Sequence, residues 1–155
     1  MARRPSARDL TVWRAFLQAH AAVVRVLERE LLTETGMPLA WYDVLIQLRQ
    51  APAARLRMSA LAEAALLSRS GLTRLVDRLE REGLVRRERC ATDARGWFVV
   101  LTEAGGDRLK RAAPVHLRGI ATHFTDRLTP EQAETLRAAL SAVARAALDD
   151  SRAAR

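Results

Sequence analysis

What this chain of 155 residues lacks narrows its function before any motif is read. It has one cysteine, Cys90, which excludes an internal disulfide framework and a cysteine-based zinc cluster within one chain. No stretch approaches the roughly 18 apolar residues of a membrane span, so no membrane partner is expected. The opening MARRPSARDL is charged where a secretory signal needs an apolar segment, and a cytoplasmic location is expected. There is no Gly-rich phosphate loop, no His-Glu-x-x-His and no nucleophile elbow, so the chain is not expected to be an enzyme, and no cofactor is implied. Lysine is nearly missing too: Lys110 stands alone, although Lys and Arg together number 26 against 18 Asp and Glu. A GC-rich coding bias raises Arg and Ala together, so the arginine ratio carries little weight. The net charge of +8 carries more, because it suits an anionic partner.

What is present is apolar and helical. With 49% hydrophobic residues, the chain reads as one domain able to bury a core. Leu10, Trp13, Phe16, Leu17, His20, Val23, Val24, Leu27 and Leu31 recur at helical spacing after Ser6 and Asp9, and Gly36 and Pro38 end the pattern. A second helix is expected over residues 40–50, with Trp41, Val44, Leu45 and Leu48 inward, stopped by Ala51-Pro52. Ser59 is expected to cap a short third helix with Leu61, Ala65 and Leu66 buried. Thr102 opens a fifth helix with Pro114 inside, where a kink is expected. Thr129-Pro130-Glu131-Gln132 is a capping box that starts a sixth, ending near Leu148 before a frayed polar tail. Its stripe of Leu136, Leu140, Val143, Ala144 and Ala147 fits either an internal core or a partner chain.

Residues 68–101 are the most informative stretch. At 100° per residue, Leu72, Leu75, Val76 and Leu79 of a fourth helix share one side. Ser70, Arg74, Asp77 and Arg81 fall opposite, with Thr73 and Arg78 flanking. Ser68 and Ser70 stand at an N-terminus suited to entering the major groove tip-first, where free N–H groups also hold phosphate. Any amphipathic surface helix has a polar face, so the helix alone leaves its role open. Gly83 closes it, and two strands, 84–89 and 97–101, follow around an ATDARG loop. Arg86, Arg87 and Arg89 lead into this hairpin, with Asp93, Arg95 and Gly96 at its tip. An arginine on a projecting tip suits a narrow minor groove, and Asp93 suits positioning rather than phosphate binding.

The stretch LSRSGLTRLVDRLEREGLVRRERCATDARGWFVVLTEAG resembles the winged-helix core of the MarR family of bacterial transcription regulators. The Gly-Leu-Val after the fourth helix, the Asp-x-Arg wing tip and the following Leu-Thr-x-x-Gly all match. The resemblance implies a mainly α fold with a small β-hairpin wing, a winged helix-turn-helix embedded between dimerisation helices. The dimerisation segments would be residues 10–35 and 103–149 of one domain, and the DNA-binding lobe 40–101. It implies a homodimer that binds double-stranded DNA at a pseudo-palindromic operator, a repressor released by a small ligand. On the matched positions, Ser70, Thr73 and Arg74 would contact bases and Arg95 the minor groove. Ser68, Arg69, Asp77, Arg78, Arg87 and Asp93 complete the expected DNA-binding set.

Trp13, Phe16, His20, Trp41 and Tyr42, with His116, stand near where the family's effector cleft would lie, which suits a flat aromatic or anionic ligand. The same aromatics also suit a plain core. His20, His116 and His123 include no tight ligand pair, so no metal site is expected, and Cys90 reads as a packed thiol. The alternatives are a winged-helix interaction module that does not bind DNA, or a metal-responsive regulator.

Overall fold

The structure, a computed structural model, describes residues 4–65, 67–90 and 93–153, and only the backbone of 93–95 and 151–153. It divides into two compact units, Met1–Leu117 and Arg118–Arg155, with the boundary inside a helix. Six α-helices and a three-stranded sheet are described: α1 (Ala7–Thr35), α2 (Leu39–Gln50), β1 (Arg55–Arg57), α3 (Met58–Ala64), α4 (Arg69–Arg81), β2 (Val85–Cys90), β3 (Asp93–Leu101), α5 (Glu103–His123) and α6 (Pro130–Ala153).

Local signals set most helix ends. Ser6 and Asp9 form a reciprocal capping box at the start of α1, and Gly36 ends it at φ 65, where a Cβ would be strained. Glu28 of α1 accepts a hydrogen bond from the Leu39 amide at 3.0 Å and so caps α2 from a neighbouring helix. Gly83 follows α4 at φ 70, and the Leu84 amide donates to the Leu79 carbonyl at 2.9 Å to close the helix end. Thr129 and Gln132 exchange backbone and side-chain hydrogen bonds at the start of α6.

The core of the first unit gathers around α4. Leu31, Met37, Val44, Leu45, Leu48, Leu61, Leu72, Val76, Leu79 and Val99 are each wholly buried. Each such side chain contributes about 1.5–3 kcal/mol by leaving water. The sheet, in order β1-β3-β2, is antiparallel throughout. Thr102 ties the sheet to α5: its hydroxyl donates to the Gly83 carbonyl at 2.7 Å and accepts from the Gly105 amide at 3.0 Å. A Cβ on Gly105 would stand 2.0 Å from the Leu84 carbonyl oxygen, so only glycine lets α5 pass this close. The Leu-Thr-x-x-Gly signature is thus a packing joint.

Several expectations change. Ser59 does not cap α3; Arg57 holds that position with no side-chain cap, because residues 55–57 pair with β3 and the helix springs directly from the strand. β1 itself, three residues long, has too little alternation to be seen in sequence. Trp41 and Leu75 are half-buried rather than core, and Leu66 lies outside the described residues. The hairpin is longer than its turn residues imply. Cys90 pairs with Asp93 across a bulge at Arg89/Cys90, which puts Gly96 and the backbone of Asp93 and Arg95 in β3 rather than in a loop. Residues 91–92 and the side chains of Asp93 and Arg95 lie outside the described residues. Pro114 sits inside α5 as expected. Helix α6 continues past Leu148 to Ala153.

In the first helix, only Leu27 and Leu31 of the periodic set are buried; Leu10, Trp13, Phe16, Leu17 and Val24 are exposed. In α6, Leu140, Val143 and Leu148 are exposed as well, with Leu136 half-buried.

Candidate nucleic-acid interface

The candidate reading face begins at the N-cap of α4. Ser68 Oγ accepts from the Gly71 amide at 3.1 Å, which fixes the first turn. With Leu72, Val76 and Leu79 anchored in the core, Arg69, Ser70, Thr73, Arg74 and Arg78 are exposed on the remaining surface. Thr73 spends its hydroxyl proton on the Arg69 carbonyl at 2.9 Å, which leaves its oxygen lone pair and methyl group to face outward. The expected arrangement of these side chains on one helix is therefore present.

Arg87 behaves differently from the other arginines. It leaves β2 toward α4, where Nη2 meets Asp77 Oδ1 and Nη1 meets Glu80 Oε2, each at 2.5 Å. Its amide also donates to Glu80 Oε1 at 2.9 Å. Burial works against the charged guanidinium, but the hydrogen bonds and charges of Asp77 and Glu80 outweigh it and raise its pKa further. Arg87 and Asp77 thus form a clamp between the hairpin and α4. Sequence reasoning could not find this partner set, because the three residues meet only when β2 folds back along the helix.

The expected ligand residues fall into two groups. On α1, the Trp13 and Phe16 rings lie 5.8 Å apart and those of Phe16 and His20 6.3 Å apart. Separately, the Tyr42 and His116 rings meet at a tilt with centroids 4.3 Å apart. Burial lowers the His116 pKa, and burial followed by the Asp43 charge raises that of Tyr42. His116 Nδ1 is buried with no hydrogen-bond partner among the described residues. No ring contact joins the two groups among the described residues, and Trp41 is in neither. Among the described residues no cluster of three metal-binding side chains occurs. Cys90 is buried, with Arg57 Nη2 donating to its Sγ at 3.3 Å.

Residues 35–96 match the profile of the MarR family. The chain is similar to Sco3205, a MarR family transcriptional regulator from Streptomyces coelicolor solved in complex with DNA. The identity is 40% over 94% of this chain and 91% of that one, with a TM-score of 0.87. This protein belongs to the MarR family. AbsC, another MarR family regulator from Streptomyces coelicolor, is 34% identical over 96% of this chain and 99% of its own, again at a TM-score of 0.87. An HTH-type transcriptional regulator of Bacillus cereus is 33% identical over 110 residues, 71% of each chain. These relatives are transcriptional regulators, and this MarR family protein is accordingly a regulator and not an enzyme. Among the described residues of this MarR family member, no helix is long and apolar enough to cross a membrane.

Proposed function

We propose that the protein is a sequence-specific DNA-binding repressor that works as a homodimer on a pseudo-palindromic operator in the cytoplasm. The observation that carries this reading is the face of α4, where Arg69, Ser70, Thr73, Arg74 and Arg78 are exposed over a fully anchored apolar side. The solved complex of Sco3205 with DNA supports it. In this reading Ser70, Thr73 and Arg74 contact base edges, Ser68 and Arg69 hold phosphate at the helix start, and Arg95 enters the minor groove from the wing, with Asp93 orienting it. Residues 40–101 form the DNA-binding lobe, and 10–35 with 103–149 the dimerisation arms that set two recognition helices about one DNA turn apart. The exposed apolar stripes of α1 and α6 support that assignment.

Arg87 and Asp77 act in this reading by fixing the wing against α4 rather than by touching DNA. Release by a small aromatic or anionic ligand belongs to the same proposal, supported by the buried Nδ1 of His116, which has no hydrogen-bond partner among the described residues, beside Tyr42.

Selection of bound duplexes from a random library, followed by titration at several salt concentrations, tests the proposal. Arg74→Ala should relax preference at one base position at a cost of about 1–3 kcal/mol. Arg95→Ala should lower the salt slope by about one, and Arg87→Ala should weaken binding with the slope unchanged. No enrichment of any duplex would sink the reading. A thermal-shift screen of aromatic acids tests the ligand component.

A further inference from the structure

The inward face of the hairpin outruns the core. Val85 and Val99 are buried and Arg87 is clamped, but the next cross-strand pair on that face, Arg89 and Trp97, stands beyond them. Trp97 is 39% exposed, although it is the largest apolar side chain on the sheet. The Arg89 guanidinium lies 5.2 Å from its ring centroid and steadies the indole from one side. Trp97 lines a cleft of about 390 Å³ together with Gly96, Arg57 at the end of β1, Ser59 of α3, and Arg69 and Thr73 at the start of α4.

The described lining of this cleft is one-sided in charge. Two of its described lining residues are arginines and none is acidic. Arg57 is held there by its hydrogen bond to Cys90 and by the Phe98 ring, 5.6 Å from its guanidinium. Arg69 and Thr73 belong at once to this cleft and to the exposed face of α4, so the cleft adjoins that face. A sugar–phosphate strand offers an apolar sugar between two anions, which suits a cleft lined by one indole and two guanidinium forks.

We propose that Trp97, Arg57 and Arg69 clasp one sugar–phosphate strand of the operator, with the indole against a deoxyribose and the two arginines on the flanking phosphates. This rests on the reading of the protein as a DNA-binding regulator, and it adds to the phosphate contact of Arg69 two residues, Trp97 and Arg57, that belong to neither the recognition face nor the wing tip. Trp97 is a binding residue in this scheme, while Arg89 positions it.

The test uses the full chain and a duplex that the wild type has selected. Trp13→Phe with Trp41→Phe leaves Trp97 as the only tryptophan, and its emission should be quenched and shielded from acrylamide at saturating duplex. Trp97→Ala should weaken selected and random duplexes alike by about tenfold, with the salt slope unchanged because no charge is lost. Arg57→Ala should lower the slope by about one. Where Trp97→Ala fails to fold, the emission experiment and Trp97→Phe, expected to retain most of the affinity, still decide. Emission indifferent to duplex, or Trp97→Ala binding as tightly as wild type, would overturn the clasp while leaving the functional reading intact. Emission that responds to benzoate but not to duplex would overturn it in favour of a small-anion pocket. A wild type that selects no duplex would sink the functional reading itself.

Discussion

The lobe around α4 and the terminal helix α6 use the same residue types to opposite ends. Leu72, Val76 and Leu79 on α4 are wholly buried, while Leu140, Val143 and Leu148 on α6 are 37%, 67% and 53% exposed. Both helices carry Leu and Val at helical spacing. The difference lies in what returns to cover them. The stripe of α4 meets α3 and β2, whereas no described residue of α6 is buried. The first turns of α1 repeat the second case, with Trp13 and Phe16 exposed. Contiguous apolar faces are uncommon on the surface of a protein that stays alone. One core is completed within the chain, and the proposed homodimer would complete another.

The strongest way to break this comparison is Val143→Asp. A carboxylate placed in an apolar interface is costly, and the variant is expected to sediment as a monomer and to lose operator affinity on the order of a hundredfold. A variant that remains dimeric would mean the α6 stripe is merely exposed. Leu79→Ala probes the other side: it should cost about 2–5 kcal/mol in urea unfolding through the cavity it leaves. That loss should not depend on protein concentration, whereas the melting temperature of the proposed wild-type dimer should rise with it.

Gly105→Ala comes next, at about 1–3 kcal/mol, because the added methyl meets the Leu84 carbonyl, which cannot turn aside. The smallest effect is expected from His116. Burial holds its folded pKa below the ordinary 6.5, so the unfolded chain takes up a proton that the folded chain refuses. Stability should be full above that value and fall as the pH drops through it toward the lower folded pKa. His116→Gln should flatten the decline measured by thermal melts, and an identical pH profile would show that this burial contributes nothing.

Helix ends were legible wherever a cap is made by residues three or four apart. Ser6 with Asp9, and Thr129 with Gln132, needed nothing beyond their own turn. The polar and apolar sides of α4 were equally legible, since 3.6 residues per turn fixes them. The hairpin was legible in kind but not in length, because Asp93 and Gly96 are turn residues by type and yet the ladder runs through them. The aromatic set on α1 suits the edge of a ligand cleft, but nothing in its spacing distinguishes that from an exposed face.

The sequence by itself therefore determined the helices, the anchored face of α4 and the family signature, because these depend on neighbours within a turn or two. Only the tertiary structure decided that β1 exists, that Arg87 is committed to Asp77 and Glu80, and that Trp97 shares a cleft with Arg57 and Arg69. Those pairings bring together residues 7 to 45 positions apart. No local period records such a meeting, since it is made by the fold of the sheet against α3 and α4.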